Sequence, residues 1–171
     1  YGVLISLFNI NKDDKIGIFE VGMDKKGEID FLTKKIMPNV GVITNISYAH
    51  IKNFQNLKGV AHAKSEIINN ITQNGSIVLN ADDNFFKFLK SKSIKKKLRI
   101  ISFGINKKSD VTLINIKSGK FNSVIYVKNN EKKLKFIIKK QLENYIYNIL
   151  STLAVMSVYF DLEKLDKFFF Y

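Results

Sequence analysis

Acidic, amide, imidazole and amine side chains recur in this sequence at the ends of apolar runs, where a ligand could reach them. Glu20 stands near the end of the run Lys15–Gly22. Thr44 and Asn45 stand near the end of Val40–Ile46, and Asn80 closes Ser76–Asn80, with Asp82 and Asp83 just beyond. Open α/β sheets bind ligands outside the carboxyl ends of their strands. If the three runs are parallel strands, one edge carries an acid, an amide pair and, a few residues on, His50. A strand-end carboxylate is costly unless it is paired, solvated or bound to a cation. A single histidine together with Glu20 suits a hard cation that keeps several waters, such as magnesium. Wet loops also end most strands in polar residues, and Asp82, Asp83 and Asn84 would equally well cap the next helix.

Lys64 breaks a pattern of another kind. Val60, Ile67, Ile68 and Ile71 form the inward stripe of a helix expected over Leu57–Thr72, and Lys64 falls in the middle of it. A lysine buried there needs a partner, a shifted pKa or a modification that removes its charge. Otherwise its stem lies along the stripe and its ammonium reaches outward to water. His50 and His62 are the only histidines, and cysteine is absent, so zinc motifs, disulfides and thiol nucleophiles are excluded. No G-x-S-x-G, G-x-G-x-x-G or G-x-x-x-x-G-K-[ST] occurs, so these 171 residues hold no phosphate loop.

The elements that must position these groups alternate. Lys15–Gly22, Val40–Ile46, Ser76–Asn80 and Arg99–Gly104 are near-continuous apolar runs, as expected of strands covered on both faces. Helical spacing fills Glu28–Met37, Leu57–Thr72 and Asn84–Leu89, with turn signals at Pro38 and Asn74-Gly75. The expected fold is α/β, a mostly parallel sheet flanked by helices. Residues 111–140 hold three β-rich segments separated by Ser118-Gly119-Lys120 and Asn129-Asn130, which predict a small antiparallel appendage. A helix over about Asn144–Phe160 closes the chain.

The composition is that of a globular protein, 46% hydrophobic and 25% charged, with a formal net charge of +13. Such a surplus raises nucleic acid or other polyanions as partners. Arg99, however, is the only arginine among the 28 basic residues, and the lysines are spread from end to end. Arginine supplies the bidentate and stacking contacts that nucleic-acid grooves favour. Abundant Lys, Ile, Asn and Phe fit the residue bias of an AT-rich genome better, and no nucleic-acid partner is expected. No apolar run reaches the roughly 20 residues that span a bilayer. The chain opens on Tyr1 and closes on four aromatics, residues 168–171. Both ends look cut, so the expectation is an internal piece of a longer, cytoplasmic, monomeric protein.

Four segments in order carry a resemblance: EVGMDKKGEI (Glu20–Ile29), PNVGVITNISYAHIKNF (Pro38–Phe54), AKSEI (Ala63–Ile67) and NADD (Asn80–Asp83). Together they resemble the central, ATP-binding domain of the Mur ligases. The likeness runs over nearly the whole chain, 1–171, and is most specific over residues 20–83. Ala49-His50-Ile51 resembles the branch that adds D-Ala-D-Ala to UDP-MurNAc-tripeptide, whereas the sister branches generally carry D-H-L-D there. The resemblance implies ATP and Mg2+ as cofactors and amide formation through an acyl phosphate. It implies Glu20 and His50 as magnesium ligands, and Lys64 as a carbamylated lysine that helps hold a second magnesium. Asn80, Asn45 and Asn148 would lie at the nucleotide. It also implies that the substrate domain, the phosphate loop and the C-terminal domain lie outside these residues, and that the piece alone does not catalyse.

Two departures stand out. Leu4 takes the place of a proline after the family's phosphate loop. Leu142–Asn148 aligns with the family's G-x-H-N-x-x-N but keeps only Asn148, with Asn144 and Tyr145 at the His and Asn positions. The alternatives are another Mur-type ligase, of the folylpolyglutamate or cyanophycin synthetase kind, and a non-catalytic basic nucleic-acid-binding module.

Overall fold

A computed structural model describes residues 2–48, 51–106, 108–165 and 169–170. Its centre is one sheet of seven strands lying in sequence order. Strands β1 (Val40–Ile43), β2 (Ser76–Asn80), β3 (Arg99–Gly104) and β4 (Val111–Ser118) run parallel. Strands β5 (Asn122–Asn129) and β6 (Lys132–Lys139) continue antiparallel, and β7 (Phe169–Phe170) pairs parallel with β6. The expected antiparallel hairpins are therefore present. They extend the main sheet through a short β3–β4 ladder, Phe103 against Val111 and Gly104 against Thr112.

Period-two alternation explains why β2 is buried at every residue. Ile77 and Leu79 pack with Ile68, Ile71, Leu89 and Leu98 on one face. Val78 turns to the other face, among Phe103, Leu150, Leu153 and Ala154. Helices α1 (Gly2–Phe8) and α2 (Glu28–Ile36) precede β1. Helices α3 (Leu57–Lys64) and α4 (Ile67–Asn70) join β1 to β2, and α5 (Phe86–Lys95) joins β2 to β3. Helix α6 (Ile146–Tyr159) covers the second face, after a 3-10 turn over Lys140–Tyr145. The polar breaks in its apolar run cost little. Ser151 and Thr152 hydroxyls donate to the Asn148 carbonyl, and Ser157 donates to that of Ala154. Among the described residues no helix is long and apolar enough to cross a membrane.

Two expectations fail. Lys15–Gly22 forms no strand and joins no ladder among the described residues, and Ile16 and Ile18 are exposed, Ile18 at 92%. An apolar run makes a segment capable of pairing, but a strand needs a partner edge, and no described segment offers one here. The single helix over Leu57–Thr72 is interrupted at Ser65 and Glu66, between α3 and α4. There Glu66 N–H bonds the Ala63 carbonyl and Ile68 N–H that of Ser65, while the Ser65 hydroxyl donates to the His62 carbonyl. The interruption frees the Glu66 carboxylate to reach back. It accepts from Gly27 N–H at 2.9 Å and from Asp30 N–H at 3.1 Å, satisfying donors at the start of α2 that the helix cannot. Gly27 lies in the left-handed region at φ 91°, where a side chain would be strained.

Candidate functional site at the carboxyl edge of the sheet

The carboxyl ends of β1 and β2 are tied together by side chains. Asn80 is nearly buried. Its Nδ2 donates to the Thr44 carbonyl at 3.1 Å, and its Oδ1 accepts from Asp82 N–H at 2.9 Å. One donor and one acceptor site of that amide remain for a ligand. Asp83 does not cap α5 directly. Its carboxylate accepts from Ile46 N–H at 2.6 Å and Phe85 N–H at 2.7 Å, holding the segment after β1 against the turn before α5. Between these two ends lies Lys64, at the last residue of α3. Its Nζ donates to the Asn45 carbonyl at 2.8 Å. Half-burial pushes its pKa below the ordinary lysine value, and the nearby Asp83 carboxylate works against that shift. Lys64 therefore neither snorkels away from the edge nor packs blindly in the core.

Asp82 performs the same task between β2 and β3. It accepts from Ile105 N–H at 2.6 Å and Asn106 N–H at 3.1 Å. A Cβ on Gly104 would sit 3.0 Å from Asp82 Oδ2, so glycine there leaves the carboxylate its room. The Tyr147 hydroxyl, from the first turn of α6, completes the set by donating to Asp82 Oδ2 at 3.1 Å. Sequence patterning did not single out Tyr147. A groove of about 520 Å3 lies alongside, lined by Tyr48 and Ile51 after β1, by Gln55, Asn56 and Lys58 at the start of α3, and by Phe85 after β2.

Of the residues expected from sequence, Lys64, Asn45 and Asn80 are brought to one edge. Asn148, one residue after Tyr147, is exposed in the first turn of α6, and its side-chain amide has no hydrogen-bond partner among the described residues. Glu20 is exposed on the unpaired segment and makes no hydrogen bond or ion pair among the described residues. His50 lies outside the described residues. His62 packs its ring edge-on against Phe88, 4.8 Å between centroids.

Among the described residues no three His, Asp or Glu side chains gather to hold a metal ion. Asp82 and Asp83 spend their oxygens on backbone N–H groups, and Lys64 as an ammonium offers no oxygen. Of the expected ligands only Glu20 offers a free carboxylate among the described residues, and Lys64 would supply oxygens only once its amine carried a carboxylate.

Comparison with known proteins follows the same lines. The family model described as the Mur ligase middle domain matches residues 1–156. The chain belongs to that family. A UDP-N-acetylmuramoyl-tripeptide–D-alanyl-D-alanine ligase of Buchnera aphidicola is 37% identical over 115 residues, which are 67% of this chain and 25% of that protein. The ligase of the same name from Rickettsia prowazekii is 40% identical over 116 residues, 66% of this chain and 25% of that protein. The match thus spans about a quarter of these relatives' length. The crystal structure of MurF from Acinetobacter baumannii superposes with a TM-score of 0.87 at 26% identity, covering 97% of this chain and 36% of that one. The α/β sheet with its antiparallel extension is accordingly a Mur ligase middle-domain fold, and the residues at its carboxyl edge lie within the matched span.

Proposed function

We propose that these residues form part of the ATP-binding central domain of a ligase that joins a carboxylate to an amine. In this reading the complete protein adds D-Ala-D-Ala to UDP-MurNAc-tripeptide during peptidoglycan precursor synthesis, acting as a cytoplasmic monomer. Its substrate domain, phosphate loop and C-terminal domain would lie outside residues 1–171. The observation that carries the proposal is Lys64, held half-buried against the Asn45 carbonyl at the carboxyl edge, in a chain whose relatives bear that ligase name.

Only a neutral amine adds CO2 to become a carbamate, and burial of Lys64 favours the neutral form. Glu20, His50 and the Lys64 carbamate would hold Mg2+, which when bound offsets charge on the transferring phosphoryl group. Asn80, Asn45 and Asn148 would face the nucleotide and orient it. Since the phosphate loop and the amine-binding domain are lacking, the isolated 171 residues would not catalyse ligation. A ligase of the folylpolyglutamate or cyanophycin type is not favoured, since the relatives reported above share the D-alanyl-D-alanine ligase name.

The test is to supply the full-length protein with ATP, Mg2+, UDP-MurNAc-tripeptide and D-Ala-D-Ala, and to follow ADP and the ligated product. Formation of both is expected. ATP turnover with glutamate or another amine acceptor, and none with D-Ala-D-Ala, would move the assignment to a different Mur-type ligase.

A further inference from the structure

We infer that Tyr147 is a positioning residue of the nucleotide edge: its hydroxyl, donated to Asp82, fixes the first turn of α6, and with it Asn148, beside the carboxyl ends of β2 and β3. The inference rests on the proposed nucleotide-binding role of that edge and adds a residue to it.

Three observations carry it. First, Asp82 is a junction. Its carboxylate already holds Ile105 N–H and Asn106 N–H, so whatever it grips is registered to the ends of both strands. Gly104, whose Cβ would crowd Asp82 Oδ2, keeps that junction open to the carboxylate. Second, the Tyr147 hydroxyl donates to the same oxygen, Oδ2, that receives Ile105 N–H. A phenol is a donor at neutral pH, and burial and the bond to Asp82 push its pKa further above the ordinary value of 10.0. Third, α6 packs on the sheet through apolar side chains along its length, Ile146 and the Tyr147 ring in the first turn and Leu150, Leu153 and Ala154 beyond it. Such contacts hold the helix on the sheet without a preferred direction, and the Tyr147 hydroxyl adds a directional bond from the first turn to the strand ends. The neighbouring Asn148 has an exposed amide without a partner among the described residues, so its position is set by the turn that Tyr147 anchors.

The experiment compares full-length wild type with Tyr147→Phe, Asn148→Ala and the double variant, reading ADP affinity by calorimetry and steady-state KM for ATP and for D-Ala-D-Ala. Tyr147→Phe removes one oxygen and keeps the ring in the core, so little change in melting temperature is expected. We expect ADP affinity and KM for ATP each to worsen by about fivefold, the size of one lost hydrogen bond, with KM for D-Ala-D-Ala unchanged. Because Tyr147 acts through Asn148, the double variant should be no worse than Asn148→Ala alone. Additive losses in the double variant, an unchanged nucleotide affinity, or equal loss for every substrate would overturn the inference. Wild type that binds no ADP would instead overturn the nucleotide reading on which it rests.

Discussion

The Lys64 ammonium donates to the main-chain carbonyl of Asn45 at 2.8 Å, so the last residue of α3 closes on the end of β1. An amine in that place has one fixed partner and a desolvated stem, and Asp83 lowers the cost of its charge without removing it. The same side chain is therefore a burden on the fold and a candidate for the chemistry at the edge. Those two roles separate experimentally.

If Lys64 holds metal or phosphoryl charge as proposed, Lys64→Ala in the full-length protein should lower ligation by about a hundredfold or more. A short-chain carboxylate added to the assay should restore part of the rate by standing in for the carbamate. Unchanged turnover would remove Lys64 from the site.

Stability should respond in the opposite sense. With its folded pKa below the ordinary 10.5, Lys64 binds a proton more tightly in the unfolded chain. The protonated side chain thus costs stability at every pH below its folded pKa, and the cost fades as pH rises towards 10.5. In CO2-free buffer, Lys64→Met should melt above wild type at neutral pH, with the gap closing in alkaline solution. A gap that stays constant with pH would mean that the buried charge is not its source.

Glu66 gives a purely structural prediction. Its carboxylate caps α2 from 39 residues away, through Gly27 N–H and Asp30 N–H. Glu66→Ala should cost about 1–2 kcal/mol in urea unfolding, as for the loss of a good N-terminal cap. A loss below a few tenths would show that water replaces the carboxylate at those donors.

Much of the edge was legible because its strands declare themselves. Ser76–Asn80 and Arg99–Gly104 were bounded correctly, since burial on both faces leaves runs of apolar residues that end where the chain meets solvent. Lys64 stood out as a charge within an apolar stripe. The break at Ser65-Glu66 was hidden because the bond that goes with it, from Gly27 N–H to Glu66, spans 39 residues and no local propensity encodes it. Tyr147 was hidden for the same reason, as its partner Asp82 lies 65 residues away. The one available signal was the acidic strand end itself, which implied donors to be found elsewhere. Lys15–Gly22 misled because an apolar run reports that a segment can pair and says nothing of whether an edge is there.

Glu143 sets part of the acid limit. Its carboxylate accepts from Lys140 Nζ at 2.7 Å and from the Ser118 hydroxyl at 2.6 Å, and these bonds hold its pKa down to about 2. A carboxylate with a depressed folded pKa contributes stability above its ordinary value of 4.5, and the contribution is lost as pH falls from there through about 2. Glu143→Gln should therefore lower the melting temperature at neutral pH and converge on wild type as pH falls towards about 2, flattening the fall between those two values. An unchanged acid limb would show that the pair is dissolved by solvent.

Ile18 tests the unpaired segment directly. At 92% exposure it has no packing to lose, so Ile18→Ser in this chain should change stability by no more than about 0.5 kcal/mol. Ile77→Ala, in the fully covered β2, should cost about 2–5 kcal/mol by the same denaturation assay. Should Ile18→Ser cost as much as Ile77→Ala, residues 15–22 would have to be buried against a partner edge in solution. Glu20 would then be carried to a strand end, as the apolar run Lys15–Gly22 led one to expect.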